Sequence, residues 1–158
     1  MNKAKIKEKV KVGIIVSRID YGAAELLETK LALELSQIGY NVTLIPQYSS
    51  KKFNDDKIEK EISKKIKIFR ICFDNIFFFL IQFFRLRALN LDVLISHNRG
   101  GHILSTLVCI LKSTKDIKAF HEYYENKHVS SLIGKIWKKC IINADFSYHI
   151  TDYVKNQN

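Results

Sequence analysis

Short apolar runs rich in β-branched residues alternate along this 158-residue chain with longer stretches of three- and four-residue periodicity. That alternation restricts the fold more than any other feature. Val10 to Ser17 is a nearly continuous apolar run, the pattern of a strand covered on both faces. A short loop, Arg18 to Gly22, follows it. Ala24, Leu27, Leu31, Leu35 and Ile38 then recur at helical steps and predict an amphipathic helix that stops at Gly39. Asn41 to Pro46 reads as a second strand. A strand, a helix and a strand in succession imply parallel pairing, because a tight hairpin cannot join parallel strands.

The pattern continues to the end of the chain. Lys51 to Lys65 is polar and reads as loop, then surface helix. Lys64 to Ile71 alternates as a third strand would, with a helix as the alternative. Asp74 is placed to cap a helix over Ile76 to Leu89. Leu91 to Ser96, Ile117 to Phe120 and Asp145 to Ile150 read as strands four, five and six, with helices over Gly101 to Lys112 and Ser130 to Asn143 between them. Thr151 is placed to cap a last helix. Six strands alternating with helices predict one α/β domain with a doubly wound, mostly parallel, Rossmann-like sheet.

Composition narrows the function classes. Hydrophobic residues at 47% and charged residues at 27% are ordinary for a globular chain and argue against disorder. Cys72, Cys109 and Cys140 are odd in number and form no C-x-x-C pair, which speaks against a disulfide scaffold or a zinc ribbon. A net charge of +10 favours anionic partners: nucleic acid, an acidic lipid surface or a phosphorylated small molecule. No nucleic-acid-binding motif accompanies the charge, so nucleic acid is not expected. The apolar run Val12 to Val16 is too short for a signal peptide, and the expected location is the cytoplasm.

In open parallel sheets ligands bind beyond the carboxyl ends of the strands, near the point where strand order reverses. Four loops qualify: Arg18–Gly22, Gln47–Ser49, His97–Gly101 and His121–Tyr124. The first enters a helix N-terminus, where free N–H groups and the dipole suit an anion and Gly22 admits close approach; Gly22 also serves a tight turn with no ligand. Neither Gly-x-Gly-x-x-Gly nor a Walker A sequence is present, which counts against Rossmann dehydrogenases and P-loop NTPases. In the third loop Asn98 and Arg99 bring donors beside two glycines. Arg99 can fork onto a phosphate or carboxylate, or be a solvated surface arginine. His121 can act on a substrate hydroxyl or be structural. Five histidines show no metal-ligand spacing and no nearby cysteine, so no metal site is expected. No Gly-x-Ser-x-Gly elbow supports a hydrolase triad.

Seven of the ten phenylalanines fall between Phe69 and Phe84, and from Ile76 to Phe84 only Gln82 is polar. A helix apolar nearly all round is deeply buried or faces something other than water. It is too short to span a bilayer, which takes about 20 residues. With Arg70 and Arg85 beside it, exposed Phe77 and Phe78 suit docking on an anionic membrane surface; a helix sandwiched within the protein, or forming a protein interface, is the alternative.

With these loops in place, the chain resembles the N-terminal, acceptor-side domain of a family 4-type glycosyltransferase of GT-B architecture, from about Val10 to Lys155. The matching pieces run in order: Ile15-Val16-Ser17 with Tyr21-Gly22-Ala23-Ala24-Glu25; Leu33 through Gly39 to Leu44; Asp92-Val93-Leu94-Ile95-Ser96-His97; His121; and Ala144-Asp145 through Thr151 to Lys155. Ala23 stands where the family has a second turn glycine, which narrows backbone approach to a diphosphate, and Thr151 stands for a serine. The resemblance implies sugar transfer with retention from a nucleotide-sugar to a glycan or lipid-linked acceptor in cell-surface polysaccharide biosynthesis. No cofactor is implied beyond that donor substrate. It places Gly22 and Ala23 near the donor phosphates and His121 near the transferred sugar, with Asn98 and Arg99 on the acceptor side by position alone. The donor-binding domain of such enzymes lies outside these residues. The expectation is a chain inactive alone and working with a separate donor-binding chain, peripheral to the membrane. A truncated inactive remnant and a non-catalytic α/β binding module are the alternatives.

Overall fold

A computed structural model describes residues 9–17, 19, 23–48, 57–72, 76–120 and 132–149. The chain alternates as its apolar pattern predicts: β1 (Lys11–Val16), α1 (Ala23–Gln37), β2 (Asn41–Tyr48), α2 (Lys57–Ser63), β3 (Lys67–Ile68), β4 (Ile71–Cys72), α3 (Ile76–Ala88), β5 (Val93–Ser96), α4 (Arg99–Ile110), β6 (Lys115–Phe120), α5 (Leu132–Ile142) and β7 (Phe146–His149). The strands form one sheet in the order β3-β2-β1-β5-β6-β7, with β4 also on β2. Every pairing among the described residues is parallel. Order therefore reverses between β1 and β5, the doubly wound arrangement.

The two-residue period of a strand sorts the core into two layers. Val12, Ile14 and Val16 of β1, with Val42, Leu44 and Ile95, pack under α1 and α2, where Ala32, Ile62 and Ile66 meet them. Ile15, Ile45 and Leu94 point to the other face and pack against Leu86 of α3 and Leu104 and Val108 of α4. Trp137 of α5 is buried with Ile103 and Ile141 at that layer's margin.

Two expectations are modified. The third strand is in two pieces, β3 and β4, yet the register is continuous: Leu44 faces Ile68, and Gln47 faces Ile71. It is one edge strand interrupted at Phe69 and Arg70, where the Arg70 side chain turns to Glu59 of α2. In α1 the core-facing line is Glu28, Leu31, Ala32 and Leu35, while Leu27 and Ile38 are exposed. Glu28 occupies a buried position that a stripe of leucines and isoleucines does not reveal. The stop at Gly39 holds: its φ is 106°, and Tyr40 and Gly39 N–H groups close back on Leu35 and Ser36 carbonyls, each at 3.1 Å.

Candidate functional site

β1 runs parallel to β5, and β5 to β6, so the carboxyl ends of all three strands lie along one edge of the sheet. The reversal in strand order makes that edge a crevice between the ends of β1 and β5. Asn98 spans it. Its backbone is extended, as an N-cap requires, and its Oδ1 accepts from the Gly101 N–H at 2.7 Å, opening α4. Its Nδ2 donates to Ser17 Oγ, just past β1, at 3.3 Å. One side chain thus caps the helix after β5 and clasps the end of β1.

Close approach at this corner depends on Gly101. A Cβ there would lie 3.0 Å from both Gln47 Nε2 and Ile15 Cγ2 and 3.2 Å from Asn98 Oδ1. The first turn of α4 consequently sits against the ends of β1 and β2, with the Gln47 carboxamide beside Gly100 and Gly101. Gln47 Nε2 is buried without a hydrogen-bond partner among the described residues.

Arg99 begins α4, with its guanidinium carbon 5.3 Å from the centre of the Trp137 ring, within cation–π range. Trp137 Nε1 donates to His102 Nδ1 at 3.0 Å. An indole N–H is a donor only, so His102 carries its proton on Nε2 and donates it to the Ser96 carbonyl, also at 3.0 Å. Both ring nitrogens are engaged, which makes His102 a neutral structural brace beneath the crevice. His97 Nδ1 meets Glu28 Oε1 at 3.2 Å, both side chains buried, tying α1 to the end of β5.

Deeper under α4 lies a buried charge pair. Lys118 Nζ contacts Asp116 Oδ2 at 2.7 Å and donates to the His102 carbonyl at 2.8 Å and to Ser105 Oγ. Asp116 also accepts from Ser105 and Thr106, each at 2.9 Å. Burial lowers the Lys118 pKa, and Asp116 works against that shift. The Cys109 thiol is pushed up to about 12 by burial, with the Asp116 charge adding to it. On the opposite face, Tyr48 donates to Glu59 Oε2 at 2.7 Å and Arg70 Nε to Glu59 Oε1 at 2.5 Å. Burial and that carboxylate raise the Tyr48 pKa well above its ordinary 10.0.

Of the residues singled out from sequence, Asn98 and Arg99 stand at the crevice. Gly22 and His121 lie outside the described residues, and Ala23 opens α1. Phe77 and Phe78 are exposed on α3. Arg85 lies 4.8 Å over the Phe69 ring and donates to Gln82 at 2.9 Å, while Arg70 is turned to Glu59. Sequence reading passed over Glu28 and Trp137; no periodicity marks a glutamate for burial, and a single tryptophan gives no pattern. A hollow of about 210 Å³ lined by Lys11, Asn41, Thr43, Lys67, Leu89 and Leu91 lies at the amino ends of β1 and β2, away from this crevice.

No protein-family model matches the chain, and no curated protein matches it. Solved structures do. A glycosyltransferase from Rickettsia africae is 16% identical with a TM-score of 0.64, over 94% of this chain and 38% of that one. Sucrose-phosphate synthase from Thermosynechococcus elongatus is 12% identical with a TM-score of 0.67, over 88% of this chain and 42% of its own. A proposed UDP-N-acetylglucosamine 2-epimerase from Listeria monocytogenes is 16% identical with a TM-score of 0.62, over 95% and 41% respectively. At these identities the likeness is one of fold. The chain spans about two fifths of the length of each.

Proposed function

We propose that this chain is the acceptor-side half of a retaining glycosyltransferase that moves a sugar from a nucleotide-sugar to a glycan or lipid-linked acceptor in cell-surface polysaccharide synthesis. The observation that carries this reading is the crevice at the β1–β5 reversal, where Ser17, Gln47 and Asn98 meet at one sheet edge and Arg99 opens the adjoining helix. The shared fold of the Rickettsia glycosyltransferase and sucrose-phosphate synthase supports it. In this reading Arg99, steadied by Trp137, and Asn98 hold acceptor hydroxyl or phosphate groups. Gly22 and Ala23 admit the donor phosphates, and His121 stands by the transferred sugar. The groups that stabilise the leaving diphosphate belong to a donor-binding part outside these residues, since charge developing in the transition state needs fixed donors of its own.

The test is reconstitution. Purified chain is mixed with a donor-binding partner chain and a radiolabelled nucleotide-sugar, and label entering an acceptor is counted. Transfer by the mixture, absent from either chain alone, is the expected result. Arg99→Ala is expected to lower kcat/KM by roughly tenfold or more, the loss of a charged hydrogen bond to the acceptor. No transfer to any acceptor from any nucleotide-sugar would defeat the proposal. Fold likeness to the Listeria protein favours epimerisation as a second reading. That outcome would appear as label isomerised within the free nucleotide-sugar.

A further inference from the structure

Three helices cover the face of the sheet opposite α1 and α2, and their outer sides are built unlike a water-facing surface. α3 is apolar on both sides: Phe79, Phe83 and Leu86 pack inward with Gln82 buried beside them, while Phe77 is 67% exposed and Phe84 62%, with Leu80 and Ile81 exposed between them. These four fall at i, i+3, i+4 and i+7, a single helical stripe. α4, packed beside α3, exposes Leu107 and Ile110, the latter at 67%. α5, packed beside α4, exposes Leu132 at 75% and Ile136 one turn later. Three neighbouring ridges therefore present large aliphatic and aromatic side chains outward, far more than the scattered single hydrophobics of ordinary surfaces.

The charge on the same helices has one sign. α3, α4 and α5 contain no aspartate or glutamate at all. Their exposed cations are Arg85 and Arg87 near the end of α3 and Lys135, Lys138 and Lys139 on α5. The acids on the strands these helices flank are occupied: Asp116 is buried against Lys118, Asp145 is held by Lys115 at 2.8 Å, and Asp92 accepts from the Lys11 N–H at 2.7 Å. A surface that is apolar on its ridges, cationic beside them and free of carboxylates complements an anionic lipid leaflet. Apolar side chains enter the acyl boundary, and long basic ones reach the headgroups. No helix among the described residues is long and apolar enough to cross a membrane.

We infer that the outer face of α3, α4 and α5 is a docking surface for an anionic lipid bilayer, with Phe77 and Phe84 as its inserting residues. This stands independently of sugar transfer. It also redraws the basic rim expected from sequence: Arg70 belongs to the Glu59 pair on the opposite face, and Lys135, Lys138 and Lys139 replace it.

The experiment is vesicle flotation of the full chain with phosphatidylcholine vesicles with or without roughly 30% phosphatidylglycerol, at low salt and at about 0.5 M salt, where surface charges are screened. The expected result is flotation with the anionic vesicles only, weakened by salt. Phe77→Ser and Phe84→Ser are each expected to reduce partitioning roughly tenfold, the loss of one buried aromatic side chain. Thermal melting of both variants should match the parent, which separates lost docking from lost folding. A triple Lys135→Gln, Lys138→Gln, Lys139→Gln variant should lose the preference for phosphatidylglycerol. Failure to float with anionic vesicles overturns the inference, as does flotation indifferent to both serine variants. So does a dimer in sedimentation that the serine variants dissociate while vesicles are ignored, since a second copy would then be the occupant.

Discussion

The two helical layers of this sheet bury similar apolar cores but differ in how they treat charge. α1 and α2 carry Glu25, Glu28, Glu34, Glu59 and Glu61. Two of these are buried against cationic or ionisable partners, Glu28 on His97 and Glu59 on Arg70. Another, Glu34, forms an exposed pair with Lys30 at 3.8 Å. The opposite layer has no acidic residue in its helices. Its buried ion pair comes wholly from the strand, Asp116 and Lys118 of β6, and its exterior keeps phenylalanine and isoleucine in the open. The inward side of each layer is what folds the chain. The outward sides differ chiefly in charge: α1 and α2 mix acids with bases and still expose Leu26, Leu27 and Ile38, whereas α3, α4 and α5 expose apolar side chains beside cations alone.

The sharpest way to break this contrast is to remove the strand-borne pair. Lys118→Met leaves Asp116 buried without its cation and is expected to cost roughly 3–5 kcal/mol in urea denaturation. Asp116→Leu with Lys118→Met should recover most of that loss, because no charge then remains buried. The pH dependence has a definite sign. Burial depresses the folded-state Lys118 pKa below its ordinary 10.5, so between the two values the unfolded chain holds the extra proton. This group alone therefore makes the protein more stable as pH rises through that interval.

On the acidic layer, Glu28→Ala removes one partner of a buried polar contact and Tyr48→Phe one of a part-buried hydrogen bond, and each is expected to cost about 1–3 kcal/mol by the same measurement, Tyr48→Phe the less. The surface pair Lys115–Asp145 gives a smaller effect with a characteristic window. Its hydrogen bond holds Asp145 below the ordinary 3.8 and Lys115 above the ordinary 10.5. The carboxylate's contribution is lost as pH falls through its lowered value, and the lysine's as pH rises through its raised one. Asp145→Asn should consequently destabilise most at neutral pH and fade towards both extremes of a pH series of melting curves. Smallest of all, Phe77→Ser and Phe84→Ser should change stability by no more than about 0.5 kcal/mol, since both rings are in the open in the free protein. A large loss there would mean that the α3 exterior is packed, and the contrast between the layers would vanish.

How much of this was legible beforehand follows the same division. Runs such as Val12–Val16 and Leu94–Ser96 sit between two apolar layers, so local composition alone marks them as strands and yields the doubly wound sheet. The odd character of α3 was visible too, because a helix nearly free of polar residues has no side to give to water. What could not be read was pairwise. The apolar stripe of α1 points to Leu27 in sequence, whereas burial of Glu28 depends on His97, 69 positions away in the chain. Arg70 looked like a companion to the phenylalanines by proximity in sequence, yet its partner is on α2. At the crevice, Asn98 and Arg99 were found because a loop after a strand end is a positional clue. Trp137 was not, because its role exists only through contacts with His102 and Arg99.

The Asn98 carboxamide has its oxygen committed to the backbone of α4 and its nitrogen to Ser17. Two segments on either side of the sheet's midline are therefore mechanically geared through one planar group. The tie to the Gly101 amide, at 2.7 Å, is the shorter of the two, and the one to Ser17, at 3.3 Å, is the one that yields first to a competitor. The start of α4, and with it Arg99 one residue later, is thereby moored to the end of β1 through a single side chain.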